Sequence, residues 1–249
     1  MLRVLPAALV ALGVSLPAST AAQVEPSCEP PTLETLRPAL VESAAGLVID
    51  DALSPTRSSR VAAIELDGAP PAEAVLAVDS LRPAIGSADE PRTAVLVLRC
   101  TPAGWSLIDR IDLAIDRAWD GTLDEVPGVV VLRGETLPGV GHDFARIEHL
   151  DVRGGHDPRF VSRRLLLLHV VGDDVVVALD TVLRSETMSG PAREPGPTTI
   201  RSVITRRTRR PSIRVRLSER SPSGRTRTLC RTTMTFDGRE FSAADPGCL

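Results

Sequence analysis

The chain has 249 residues, with 29 basic and 32 acidic side chains and 43% hydrophobic residues: enough for one large domain or two small ones, and too apolar for wholesale disorder. It contains no Lys, Tyr or Asn, so every cation is Arg; this excludes Schiff-base and P-loop lysines, tyrosine acid–base chemistry and N-glycan acceptors. Two Trp and four Phe also argue against base-stacking or sugar-stacking surfaces, and the three missing residue types share A/T-rich codons, which points to a GC-rich bacterial genome.

Residues 1–22 read as a signal peptide. Arg3 supplies the positive start, 4–16 the apolar stretch, and Ser19-Thr20-Ala21-Ala22 the small residues before a cut at Gln23. That apolar run is too short for a membrane span, and no later segment is long enough either. The expected location is periplasmic or extracellular. In the extension over 23–59, Leu33, Leu36, Leu40 and Ala44 recur at helical spacing, with Thr32 as cap and Gly46 as stop. Pro38 interrupts this helix or sets its start.

From residue 60 the pattern becomes short β-rich runs, in three groups of four. They lie at 60–66, 73–78, 93–100 and 105–111; at 129–133, 143–152, 163–171 and 174–183; and at 198–208, 212–219, 225–236 and 239–243. The Gly- and Pro-rich stretch 185–197 reads as a loop between an acidic β region, 60–184, and a basic one, 198–249. The fold expected is an all-β antiparallel meander (propeller-like, sandwich or open barrel) with one short N-terminal helix.

Glu65-Leu66-Asp67-Gly68 and Glu73, followed by an apolar strand, fall at the spacing of an acidic turn. This dozen-residue segment, 65–76, resembles the FG-GAP or VCBS-type β-repeat, whose D-x-D-G-D-G-x-x-D loop holds Ca²⁺ in propellers used for adhesion and recognition. Ala69 and Pro70 stand where the family has an acid and a glycine. The resemblance implies Ca²⁺ as a possible ligand of Asp67 and Glu73; a plain acidic turn is the competing reading.

All four histidines lie between 142 and 169, among acids. His142, His149, Asp151 and His156 form the candidate metal set, of a type suited to Zn²⁺, and a metal-dependent hydrolase built on them is the alternative function. Surface histidines, with His169 in the core, are the competing reading. No G-x-S-x-G or S-x-x-K motif occurs, and no catalytic residue is assigned.

Charge is distributed unevenly along the chain. Residues 201–231 carry eleven Arg against Glu219 alone, whereas 23–200 carry 16 Arg against 28 acids. If Ser221-Pro-Ser-Gly224 turns a hairpin with 220 opposite 225, then Arg214, Arg216, Arg220, Arg225, Arg227 and Arg231 share one face. Ile213, Val215, Leu217, Cys230, Met234 and Phe236 share the other. Three readings of this arginine face compete: a solvated edge, docking onto the acidic part of the same chain, or an anionic partner. Such a partner is an envelope component, such as lipopolysaccharide, phospholipid head groups or a polyanionic glycan, or an acidic protein. Nucleic acid is not expected. An Asp237-Gly238 turn, with 236 opposite 239, brings Cys248 back toward Cys230, which leaves Cys28 for Cys100. The chain thus reads as an exported, disulfide-bonded, non-enzymatic binding or envelope protein that requires no cofactor.

Overall fold

The computed structural model describes residues 27–43, 59–81, 92–114, 128–153, 159–189, 194–206, 211–243 and 248. The leader read over 1–22, Gly46 and His156 lie outside them. One helix, α1 (Leu33–Ser43), precedes twelve strands. The first four are β1 (Ser59–Ile64), β2 (Glu73–Leu81), β3 (Arg92–Thr101) and β4 (Gly104–Ala114). Next come β5 (Gly128–Thr136), β6 (Asp143–Arg153), β7 (Arg159–Val171) and β8 (Asp174–Ser189). The last are β9 (Glu194–Arg206), β10 (Ser212–Arg220), β11 (Thr226–Phe236) and β12 (Phe241–Ala243). Pairing is antiparallel between sequence neighbours throughout, giving a four-stranded meander, β1 to β4, and an eight-stranded meander, β5 to β12. The fold is all-β with a short N-terminal helix, and neither sheet closes into a barrel.

Two boundaries differ from the sequence reading. The second and third groups of four strands are a single sheet. The stretch 185–197 is not a linker, because β8 and β9 carry their ladder through it, with Ser185 opposite Thr199 and Met188 opposite Pro195. A register shift between Glu186 and Met188 loosens the ladder there, and proline is tolerated at such irregularities. The basic third of the chain is therefore continuous with the acidic β region.

Alternation of side chains along each strand builds the layers. On the small sheet, Leu76, Val78, Leu96 and Leu98 face α1, whose Leu36, Ala39 and Leu40 cover them. Their neighbours Val75, Ala77, Val95 and Val97 face the large sheet and pack on Ala145, Ile147, Leu166 and Leu168. The large sheet then curls. Phe144, Leu165 and Leu167, on its opposite face, meet Ile213, Val215, Met234, Phe236 and Phe241 from β10 to β12. Buried on both faces, β7 reads as an unbroken apolar run, Leu165-Leu166-Leu167-Leu168, rather than an alternating one. Helix α1 starts at a reciprocal cap: Thr32 Oγ1 accepts from the Thr35 amide at 3.1 Å, and Thr35 Oγ1 accepts from the Thr32 amide at 2.8 Å.

The loop between β1 and β2 locks the two sheets together. Glu65 and Leu66 carbonyls accept from the amides of Asp143 and Val170 at 2.8 and 3.1 Å. Gly68, at φ 80°, passes so near Gly141 that a Cβ would lie 2.7 Å from its carbonyl oxygen. Glu73, 1% exposed, accepts from the Leu66 amide at 2.8 Å. The Arg99 guanidinium, from β3, lies 3.8 Å from Glu73 and 3.5 Å from Asp67. It also donates at 2.8 Å to Asp173 and to the Gly172 carbonyl, in the β7–β8 turn of the other sheet.

Both hairpin registers of the basic region shift. Arg220 lies opposite Thr226, not Arg225, and beyond Leu217/Ser218 the ladder resumes with Leu217 opposite Cys230, leaving Leu229 unpaired as a bulge. Phe236 lies opposite Phe241, not Arg239, because Asp237 Oδ1 accepts from the Arg239 and Glu240 amides at 2.8 and 2.9 Å and widens the turn. That two-residue shift preserves the face, so Phe236 and Phe241 are both buried. The disulfides are Cys28–Cys100 and Cys230–Cys248, with Cα separations of 5.8 and 5.9 Å.

Two outcomes are expected. Arg99→Met leaves the Glu73 and Asp67 carboxylates without their counter-charge and should cost about 2–4 kcal/mol in urea unfolding; a loss under about 0.5 kcal/mol would show that the inter-sheet ion cluster is dispensable. Peptide mapping without reductant should recover 28–100 and 230–248 links, and any 28–230 or 100–230 link would contradict the fold.

Candidate functional site

All six arginines of the β10–β11 hairpin are exposed. They do not share one face, because the bulge at Leu229 changes the alternation along β11. Arg214, Arg216 and Arg220 follow one side of β10, and Arg231 joins them directly opposite Arg216. Arg227 lies opposite Glu219 and pairs with it at 3.0 Å, and Arg225 is in the turn. On the buried side, Ile213, Val215, Met234 and Phe236 are enclosed as expected, together with Thr232.

What distinguishes Arg214, Arg216, Arg220 and Arg231 is the lack of acids around them. Arg146 and Arg163 converge on Glu148, each at 2.6 Å; Arg164 pairs with Asp180, Arg184 with Glu186 and Arg110 with Asp112. Burial works to raise the Glu148 carboxyl, but the hydrogen bond and charge of Arg146, with those of Arg163, outweigh it and hold it below its ordinary range. The hairpin face has no such counter-charge among the described residues. Arg216 Nε donates to Ser218 Oγ at 3.2 Å, and its cross-strand neighbour is another arginine.

The three candidate metal ligands that are described are not gathered. His142 stacks on His169 with ring centroids 4.8 Å apart and planes 6° from parallel. Phe144 and Phe236 surround the pair, so His142 belongs to an aromatic cluster. His149 is buried in β6, seven residues and about 23 Å further along the strand. Asp151 lies beyond it, in a cleft on the large sheet, and His156 is not described. No group of three or more His, Cys, Asp or Glu side chains among the described residues is placed to hold a metal ion. In the loop resembling the calcium-binding repeat, Asp67 and Glu73 lie beside Arg99, and Asp67 Oδ1 also accepts from the Ala69 amide at 2.9 Å. A guanidinium thus occupies the electrostatic role that a cation has in that family.

The sequence reading missed the cleft holding Asp151. It has a volume of about 520 Å³ and lies where β6 to β9 run side by side. A register shift between Arg163 and Arg164, against β8, falls within this part of the sheet. Asp151, Ser162, Arg164, Asp180, Thr199 and Arg201 line it. Two signals were present: paired arginines opening an otherwise apolar strand, and Arg201 at the start of the basic segment, where it was counted only as charge.

The stacked histidines generate a pH dependence. Burial, and the neighbouring His169, push His142 below its ordinary 6.5, against the charges of Asp143 and Asp67. Burial likewise lowers His169, whose Nε2 donates to the Arg239 carbonyl at 2.8 Å while the Arg239 charge also disfavours protonation. The folded state refuses protons that unfolded imidazoles accept, so this stability is complete above about pH 7 and declines as pH falls below about 6.5. Calorimetry across pH 5 to 8 should show the midpoint falling over that window, with a shallower slope in His142→Phe; an identical slope would exclude the ring pair as its source. No protein-family model, curated protein or solved structure matches the chain.

Proposed function

We propose that this is an exported binding module of the cell envelope that engages an anionic partner through the open side of the β10–β11 hairpin. The observation that carries this reading is the directly opposed pair Arg216 and Arg231, exposed, flanked by Arg214 and Arg220, and without an acidic partner among the described residues. Like charges held opposite one another on a strand pair destabilise it by a few tenths of a kcal/mol to about 1 kcal/mol. An external anion removes that cost, and guanidinium forks suit phosphate and carboxylate oxygens. Among the described residues, the one acid paired on this hairpin is its own Glu219. Export is supported by the leader-like residues 1–22 and by two disulfides, which persist in oxidising compartments. No helix among the described residues is long and apolar enough to cross a membrane.

Co-sedimentation with phosphatidylglycerol-containing vesicles should be strong at low salt and weaken as salt shortens the Debye length to about 8 Å at 0.15 M. The triple variant Arg214→Glu, Arg216→Glu, Arg231→Glu should lose this binding. Arg227→Glu should weaken it less, because Glu219 already answers that charge. Unchanged sedimentation of the triple variant would refute the proposal. Vesicles that fail to bind wild-type protein, while an acidic protein is retained, would move the partner class from lipid to protein.

A further inference from the structure

The cleft on the large sheet carries a second and independent charge that nothing in the fold answers. Arg201 enters it from β9. Its Nη1 is fully engaged, donating to Thr181 Oγ1 at 3.0 Å and to the Val182 carbonyl at 2.7 Å. Its Nε is buried and has no hydrogen-bond partner. No acid pairs with it among the described residues, and burial alone pushes the guanidinium downward. A half-buried guanidinium without a counter-ion among the described residues is costly, and its Nε–Nη2 edge, which no described residue is shown to engage, has the geometry that receives a carboxylate in bidentate fashion. On the other side of the cleft Arg164 is matched by Asp180, with the charge of Asp151 acting on it as well. Asp151 itself is 6% exposed. The cleft is therefore dipolar: on β9 a cation that no described acid answers, on β6 and β8 the carboxylates of Asp151 and Asp180, with the hydroxyls of Ser162 and Thr199 also in its lining.

We propose that this cleft binds a small monocarboxylate bearing hydroxyl or amino groups, its carboxylate on the Nε edge of Arg201 and its donors toward Asp151 and Asp180. The volume of about 520 Å³ falls within the range of small-molecule sites, roughly 300–1,000 Å³. Inorganic phosphate and other multiply charged anions are disfavoured, because the same concavity presents two carboxylates that repel them. A ligand with one negative end and a donor-rich remainder matches both walls.

The test uses the disulfide-bonded protein with three probes, D-gluconate, L-serine and inorganic phosphate, followed by titration calorimetry and by the ¹⁵N resonance of Arg201 Nε. At least one carboxylate should bind more tightly than phosphate, and its titration should shift that Nε–H signal. Arg201→Lys should weaken binding about tenfold or more, since an ammonium offers no bidentate edge. Should that variant fold poorly, the wild-type Nε shift and the isosteric Thr199→Val, expected to weaken binding about threefold, carry the test. Binding of neither carboxylate would overturn the proposal. So would binding that leaves the Arg201 signal unmoved, phosphate binding tighter than both, or full affinity in folded Arg201→Lys. The hairpin triple variant should bind the carboxylate as wild type does, which separates this site from the vesicle-binding face.

Discussion

Glu73 opens β2 with its carboxylate all but sealed from solvent, and the position of each layer depends on how that group is satisfied. Burial raises its pKa, with the nearby Asp67 adding to the rise, while the Leu66 amide and the charge of Arg99 oppose it. An isolated buried carboxylate costs several kcal/mol, so the loop must close tightly enough to deliver that amide, and β3 must deliver that guanidinium. Closing the loop places the carbonyls of Glu65 and Leu66 against amides of the large sheet. Arg99 reaches the same sheet at Gly172 and Asp173. One desolvated charge thereby fixes the spacing of two sheets whose contact is otherwise non-directional aliphatic packing.

The arginines divide into three kinds of environment. Some are matched by carboxylates, as at Glu148 and Asp180. On the β10–β11 hairpin Arg214, Arg216, Arg220 and Arg231 are exposed and have no acidic partner among the described residues, whereas Arg227 pairs with Glu219. Arg201 is neither hydrated nor matched, and it satisfies Nη1 on a hydroxyl and a carbonyl instead. In a chain without lysine, composition alone does not separate these cases. Neighbouring carboxylates and depth of burial do.

The sequence made the strands legible because their boundaries are written in Gly, Pro and Asp, and because alternation survives where one face meets solvent. β10 shows this: Ile213 and Val215 are enclosed, Arg214 and Arg216 are outside. Register was less legible. Asp237-Gly238 carries the chemistry of a two-residue turn, yet the Asp237 carboxylate captures two amides and makes a four-residue one. The bulge at Leu229 has no marker in residue type, and it moved Arg227 across the ladder. Sheet membership was hidden for a related reason: Pro195 and Gly196 resemble a boundary, whereas a local irregularity keeps them within β9. The cleft was invisible because its residues come from four strands, which only the pairing order β6 to β9 sets side by side.

The meander connectivity bears on how the chain reaches this state. Within each sheet every strand after the first pairs with the one just before it, so both sheets can zip in chain order as successive local hairpins. The longer-range ties join the two sheets and the N-terminal segment: Arg99 spans to Asp173 across 74 positions, Cys28 to Cys100 across 72, and the Leu66 carbonyl meets the Val170 amide. The final layer is different. Phe144 of β6 packs on Phe236 and Phe241, from β11 and β12, so its cluster keeps an unfinished side until those later strands arrive. A chain emerging from its N-terminus can therefore assemble most of its ladder early, whereas the aromatic core around Phe144 waits for β10 to β12.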